Sequence, residues 1–264
     1  MALAALAPLG AAGCADEVPA GSHLERTRVL AVAIAPTADP TRASARPGEQ
    51  AVLTALVAAP GALPGTAWHV ELCAADAAGV CAGAPFARAD GTGSPSLTFV
   101  VPAGATHLHA EGHLAPEGEP DTDFELTLPV ESASSDAAMN HHPQMGTIEM
   151  PEGCVQAGGP DVTLRVATAA SDRERYLRAD GTSAREGLRF SFFTTAGKME
   201  RQFAVVAPDD DDDAPVVEIK WTPPETRDVP AAGLEVQLVV VVRDLRGGVD
   251  STEQTICVNA GKAE

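Results

Sequence analysis

From Leu234 to Val242 every second residue is a branched aliphatic: Leu234, Val236, Leu238, Val240 and Val242. The stretch from Asp244 to Asp250, with Gly247 and Gly248 at its centre, then turns the chain into a closing strand that carries Ile256 and Cys257. A period of two sends successive side chains to opposite faces of an extended chain, so the pattern dictates a β-hairpin with one apolar face and excludes a helix. The same signature recurs along the chain. Leu30, Val32 and Ile34 alternate, and Pro47 and Gly48 turn the chain into Val52 to Val57. Trp68, Val70 and Leu72 follow, then Leu97, Phe99 and Val101, then Leu108, Ala110 and Leu114, then Phe124, Leu126, Leu128 and Val130. The second half repeats the scheme with Val162, Leu164 and Val166, with Phe190 and Phe192, with Phe203 and Val205, and with Val217, Ile219 and Trp221. The one helical candidate is Ser171 to Ala179, with Ser171 as N-cap and Gly181 beyond its end, long enough for two turns at most.

Two successive units of about a hundred residues, each built of short alternating strands, predict an all-β chain of two tandem immunoglobulin-like antiparallel β-sandwich domains. They span residues 27–131 and 145–260. Residues 132–144, rich in Ser, Ala, Asn and His, read as a linker, and residues 14–26 as a tether. Ahead of them, residues 1–13 form a charge-free, alanine-rich leader that ends in small residues directly before Cys14. Small residues before a cysteine, with an apolar run upstream, are what a signal peptidase and a diacylglyceryl transferase require, so Cys14 is the expected lipidation site.

The chain carries 18 Lys and Arg against 37 Asp and Glu, a net charge of -19. That balance repels phosphate backbones and anionic headgroups and argues against a nucleic-acid partner. Apart from the leader, the longest uncharged run, Ala51 to Trp68, is broken by Pro60, Gly61, Pro64 and Gly65, so membrane contact is expected only through Cys14.

With Cys14 set aside, Cys73, Cys81, Cys154 and Cys257 remain, an even number that allows three pairings. Cys73 and Cys81 flank a turn-forming stretch and suit a bridge across a short loop. Cys154 and Cys257 lie near the two ends of the second half, and a bridge between them would close a loop of about a hundred residues, worth about 4 to 5 kcal/mol in the chain-entropy model. The competing reading is four reduced, buried thiols. No Cys-x-x-Cys spacing supports zinc.

A family resemblance rests on three stretches. Arg46 to Ala55, with Trp68 following, looks like the second and third strands of bacterial Ig-like or polycystic-kidney-disease-like domains. Val239 to Asp250 resembles the last hairpin of such modules. Together with the leader and Cys14 they resemble a class of large bacterial surface lipoproteins. The resemblance implies a sandwich fold, lipid anchoring at the outer membrane (Ala15 rather than Asp follows the cysteine), and no catalytic residues. In that fold the first strand lies beside the last, which makes Cys154 with Cys257 a clip between the ends of the second domain.

Chemistry-bearing clusters are few. His107, His109, Glu111 and His113 share one face if their segment is a strand, and imidazoles on one face bind Zn, Cu or Ni. Extended spacing nevertheless puts His107 and His113 roughly 20 Å apart, so only His109 and Glu111 with one neighbour could converge. The competing reading is a solvated strand face. Met139, His141, His142 and Met145 mix thioethers and imidazoles that copper would favour. Asp209 to Asp213 is an acidic run without the glycine punctuation of a calcium loop. Trp68 and Trp221 are expected in the core, and Arg243 is expected to pair with Asp244 at the turn. No nucleophile elbow, phosphate loop or dinucleotide fingerprint is present, so neither catalysis nor a cofactor is expected. The expectation is a non-enzymatic, lipid-anchored envelope protein that binds a protein or glycan partner. The alternative is an envelope metal-binding protein using the histidine strand or the Met-His linker.

Overall fold

The computed structural model describes residues 21–131, 139–177, 181–212, 214–244 and 246–261. The expected lipidation site, Cys14, lies outside them. The chain forms two antiparallel β-sandwiches, and the expected fold class is the observed one.

The first sandwich contains β1 (Arg28–Pro36), β2 (Gln50–Ala58), β3 (Thr66–Ala75), β4 (Ala87–Thr92), β5 (Ser96–Val100), β6 (His107–Pro116) and β7 (Thr122–Pro129). One sheet has the order β1-β2-β5 and faces a second with the order β4-β3-β6-β7, a division of strands typical of Ig-like modules. The alternation predicts the inward set: Val32, Ile34, Leu53, Val70, Leu72, Phe99, Leu108 and Leu114 meet in one core around Trp68. Strand β4 is the element that periodicity misses. Its inward positions are Ala87, Ala89 and Gly91, too small to register as apolar alternation. The indole explains the glycine, because a Cβ on Gly91 would lie 2.4 Å from the Trp68 ring. Cys73, near the end of β3, is bonded to Cys81, and the turn between them is closed by the Asp76 carboxylate, which accepts from the backbone N–H groups of Ala78 and Val80 at 2.9 and 3.0 Å.

The second sandwich contains β8 (Met145–Glu149), β9 (Val155–Gln156), β10 (Val162–Thr168), β11 (Arg175–Leu177), β12 (Ser183–Arg185), β13 (Leu188–Thr194), β14 (Lys198–Met199), β15 (Phe203–Val206), β16 (Val216–Thr222), β17 (Leu234–Asp244) and β18 (Val249–Asn259). The sheet β14-β16-β10-β8 packs on the sheet β15-β13-β17-β18-β9, while β11 and β12 form a separate small hairpin. Strand β9 runs parallel to the end of β18, with Val155 beside Val258, and there Cys154 is bonded to Cys257 with Cα atoms 4.5 Å apart.

The helix expected from Ser171 to Ala179 does not form among the described residues, which end at Leu177 there. Ala170–Asp172 forms a single 3-10 turn, and the chain is extended again from Arg175. Tertiary hydrogen bonds override the local pattern. The buried Asp172 carboxylate accepts from the N–H groups of Ala169 and Gln144 at 2.6 and 2.9 Å. The buried Arg173 guanidinium donates to the carbonyls of Glu186, Ala207, Asp210 and Asp212. Two turns of helix have too little cooperative gain to compete with these.

The two sandwiches are docked sheet on sheet. Phe193, Val239 and Val241, on the face of β13 and β17 that points away from their own core, pack against Leu30, Ala31, Leu56 and Ala58 of β1 and β2. The central sheet is therefore covered on both faces, which explains why Leu238 to Val242 is apolar without interruption. Leu24, fully buried, belongs to the same cluster. Its N–H donates to the Thr194 carbonyl at 2.8 Å and the Thr194 N–H to the Ser22 carbonyl at 2.9 Å, so the described part of the expected tether is joined to β13 of the second sandwich. The described end of the expected linker is fixed as well: the Ala43 N–H donates to the Asn140 carbonyl and the His142 N–H to the Thr41 carbonyl, both at 2.8 Å.

Candidate functional site

Buried polar groups meet at the junction of the sandwiches, Asn140, Glu186 and Asp244 among them. In the β17–β18 turn, the Asp244 carboxylate accepts from the N–H groups of Arg246 and Gly248, each at 2.7 Å, and from the Asn140 side chain at 3.1 Å. Arg243 does not pair with its neighbour Asp244, since adjacent strand residues point to opposite faces. Its guanidinium donates instead to the Leu30 carbonyl and to Ser191 Oγ, tying β17 to β1 across the junction. The His142 ring bridges the same two domains: its Nδ1 accepts from the Val249 N–H at 3.0 Å, and it is hydrogen-bonded to the Ile34 backbone. Burial pushes this imidazole below its usual pKa.

Glu186, only 1% exposed, meets Arg246 at 2.8 Å, and Glu174 joins them through Arg246 and His141. Burial, with the nearby Asp244 adding to it, pushes the Glu186 carboxyl up to about 8 from an ordinary 4.5. Between about 4.5 and 8 the unfolded chain has released this proton while the folded chain keeps it, so Glu186 lowers stability as pH rises through that window. The depressed His142 acts oppositely: its contribution is present above 6.5 and is lost as pH falls through its folded pKa. Glu186 by itself is expected to cost a few kcal/mol, order of magnitude, as pH rises from about 4.5 toward 8. Glu186→Gln should flatten that alkaline limb in urea titrations across pH 5 to 8.5. An unchanged slope would show that Glu186 is already ionised in the folded protein.

Next to this cluster lies a cleft of about 370 Å³ between the sandwiches, walled by β1, by edge strand β7 and by the β17–β18 turn.

The strand carrying His107, His109, Glu111 and His113 is β6, and all four side chains lie on the outer face of their sheet as the alternation requires. The structure surrounds them with residues that sequence reasoning missed. Across the four strands one row reads Asp90, His69, His113, Asp123, and the next reads Arg88, Glu71, Glu111, Glu125. His69 Nδ1 lies 2.8 Å from Asp90 and His113 Nδ1 2.7 Å from Asp123, and these hydrogen bonds raise the pKa of each ring. His109 sits 3.3 Å from Thr127 and His107 3.3 Å from Thr106. Of the proposed four only His109 and Glu111 converge, with His109 Nε2 3.4 Å from the Glu111 carboxylate, while His107 and His113 keep separate partners. Among the described residues no group of three His, Cys, Asp or Glu is placed to hold a metal ion.

The Met-His segment disperses likewise. Met139 is exposed, His141 faces Glu174, His142 is half-buried against β18, and Met145 opens β8 against the second core. In the acidic run, of which Asp213 lies outside the described residues, the backbone carbonyls of Asp210 and Asp212 receive Arg173. Their side chains cap the local N–H groups of Asp212 and Ala214. Trp68 and Trp221 are core residues, as expected, and Trp221 Nε1 donates to the Ala196 carbonyl at 3.0 Å.

No protein-family model matches the chain, and no curated protein matches it. Among solved structures, red sea bream transglutaminase is similar over 90% of this chain and 32% of that one, at 10% identity and a TM-score of 0.32. The Yersinia pseudotuberculosis adhesin InvE is similar over 88% of this chain and 60% of that one, at 12% identity and a TM-score of 0.25. The chain spans less than two thirds of either.

Proposed function

We propose that this is an exported binding module, held at the outer membrane through lipid on Cys14, whose docked sandwiches present a fixed surface to a protein or glycan partner outside the cytoplasm. The observation that carries the reading is the pair of disulfides, one inside each sandwich. Such bridges form and persist in oxidising compartments and are rare in the cytosol. The buried contact between the domains supports the rest of the reading, because a surface composed from two rigidly joined sandwiches loses little conformational entropy on engaging a partner.

Intact-mass spectrometry of the membrane fraction tests it. The expected result is a chain starting at Cys14 that carries acyl mass and is lighter by two hydrogens for each bridge. Recovery as a soluble cytosolic species, with every cysteine alkylated before reductant is added, would overturn the reading.

A further inference from the structure

We propose that the cleft between the sandwiches is a binding site for a small amphipathic anion, an apolar body bearing one carboxylate or sulfonate head, with Arg243 receiving the head. The site goes beyond the anchored-module reading and does not depend on where the protein resides.

Its volume of about 370 Å³ falls within the range of sites that enclose small organic ligands, and its position between two domains is where such sites concentrate. The walls supply the apolar part: Val29 and Val32 from β1, Phe124 and Leu126 from β7, and Val249 from β18. The ionisable wall residues are Glu125, Arg243, Asp244 and Arg246. Asp244 already accepts three hydrogen bonds, from two backbone N–H groups and the Asn140 side chain. Arg246 is held by Glu186 at 2.8 Å and by the Glu174 carboxylate at 3.8 Å, and lies over the Tyr176 ring at 5.2 Å. Glu125 alternates with Phe124 and Leu126, so its side chain belongs to the opposite, outer face beside Glu111.

Arg243 remains. Its two contacts, the Leu30 carbonyl and Ser191 Oγ, are neutral, and it meets no carboxylate among the described residues. Directly opposite it on β13 stands Arg189, whose contact is the Phe203 ring at 4.7 Å and which likewise meets no carboxylate there. In a chain of net charge -19, a half-buried guanidinium held in place by two neutral acceptors beside a second arginine is an unusual positive spot at the edge of an apolar cleft. A guanidinium has five N–H donors in a fixed fork, so two contacts leave donors for a planar oxyanion. The match is an anion whose apolar remainder lies along β1 and β7.

Fluorescence titration of the folded protein with 8-anilino-1-naphthalenesulfonate, an apolar ring system with one sulfonate, tests the site, with the uncharged N-phenyl-1-naphthylamine as companion probe. Saturable binding at one site is expected for both, and Arg243→Gln should weaken the sulfonate at least tenfold while changing the uncharged probe less than threefold. Because Arg243 also ties β17 to β1, Val249→Trp serves as a second variant. It fills the cleft while keeping the arginine and should abolish both titrations, with near-UV circular dichroism confirming native packing in each protein. Absence of saturable binding would overturn the proposal, as would equal sulfonate affinity for Arg243→Gln and the parent, or binding that survives Val249→Trp.

Discussion

Replacing Cys154 and Cys257 together by alanine should lower the free energy of unfolding by about 4 to 5 kcal/mol, whereas removing Cys73 and Cys81 should cost about 2.5 kcal/mol. The difference is one of loop length. The first bridge spans 103 positions and the second 8, and the entropy withheld from the unfolded chain grows with the logarithm of the closed loop. Local structure adds to the contrast. Strand β9 is two residues long, pairs with the end of β18, and follows Cys154 directly. Without the bridge it has little else to hold it, so the parallel pairing of Val155 with Val258 should fray, read as faster amide exchange in that segment. Urea titrations of the two double variants under non-oxidising conditions give both numbers. A loss below about 1 kcal/mol for the Cys154/Cys257 pair would mean that the loop is already constrained in the unfolded ensemble.

Phe193→Ala is the second large effect expected, about 3 to 5 kcal/mol, the range for deleting a buried aromatic ring. Phe193 faces away from the core of its own sandwich and packs instead between the domains, with Arg28 of β1 over its ring at 5.5 Å. The cavity would therefore open at the junction and leave both cores intact. Calorimetry should show this directly: the parent is expected to unfold in one coupled transition, and the variant in two, because the contact that makes each sandwich depend on the other is weakened. A variant with the midpoint and single transition of the parent would show that the docking contributes little to stability.

The fold was legible because its inward positions alternate with large apolar residues, as in Val162, Leu164 and Val166 or Trp68, Val70 and Leu72. Strand β4 was not, because an edge strand lying against an indole needs Ala and Gly where a pattern search seeks Val and Leu. The docking had a signal that was available and misread. Val239 and Val241 interrupt strict alternation in β17, and an apolar residue at every position means cover on both faces, yet alternation alone accounts for the strand and hides the second face. The site residues were the least legible part. His69, Asp90 and Asp123 reach the β6 histidines only through strand order, which a sequence does not print. Glu186 has no local feature that marks it as buried, and its surroundings come from Asp244, Arg246 and Glu174, residues 12 to 60 positions away. The expected Arg243–Asp244 pair failed on the same period of two that identified the strand.

Ser22 and Leu24 are paired with β13, so the chain meets its carboxy-terminal sandwich before it builds its amino-terminal one. A pull transmitted through the amino terminus would accordingly load the second sandwich first, straining the Thr194 hydrogen bonds and the Leu24 contact before any strand of the first sandwich felt tension. In such a stretched molecule the domain nearest the pulled end in sequence would be the one sheltered from force.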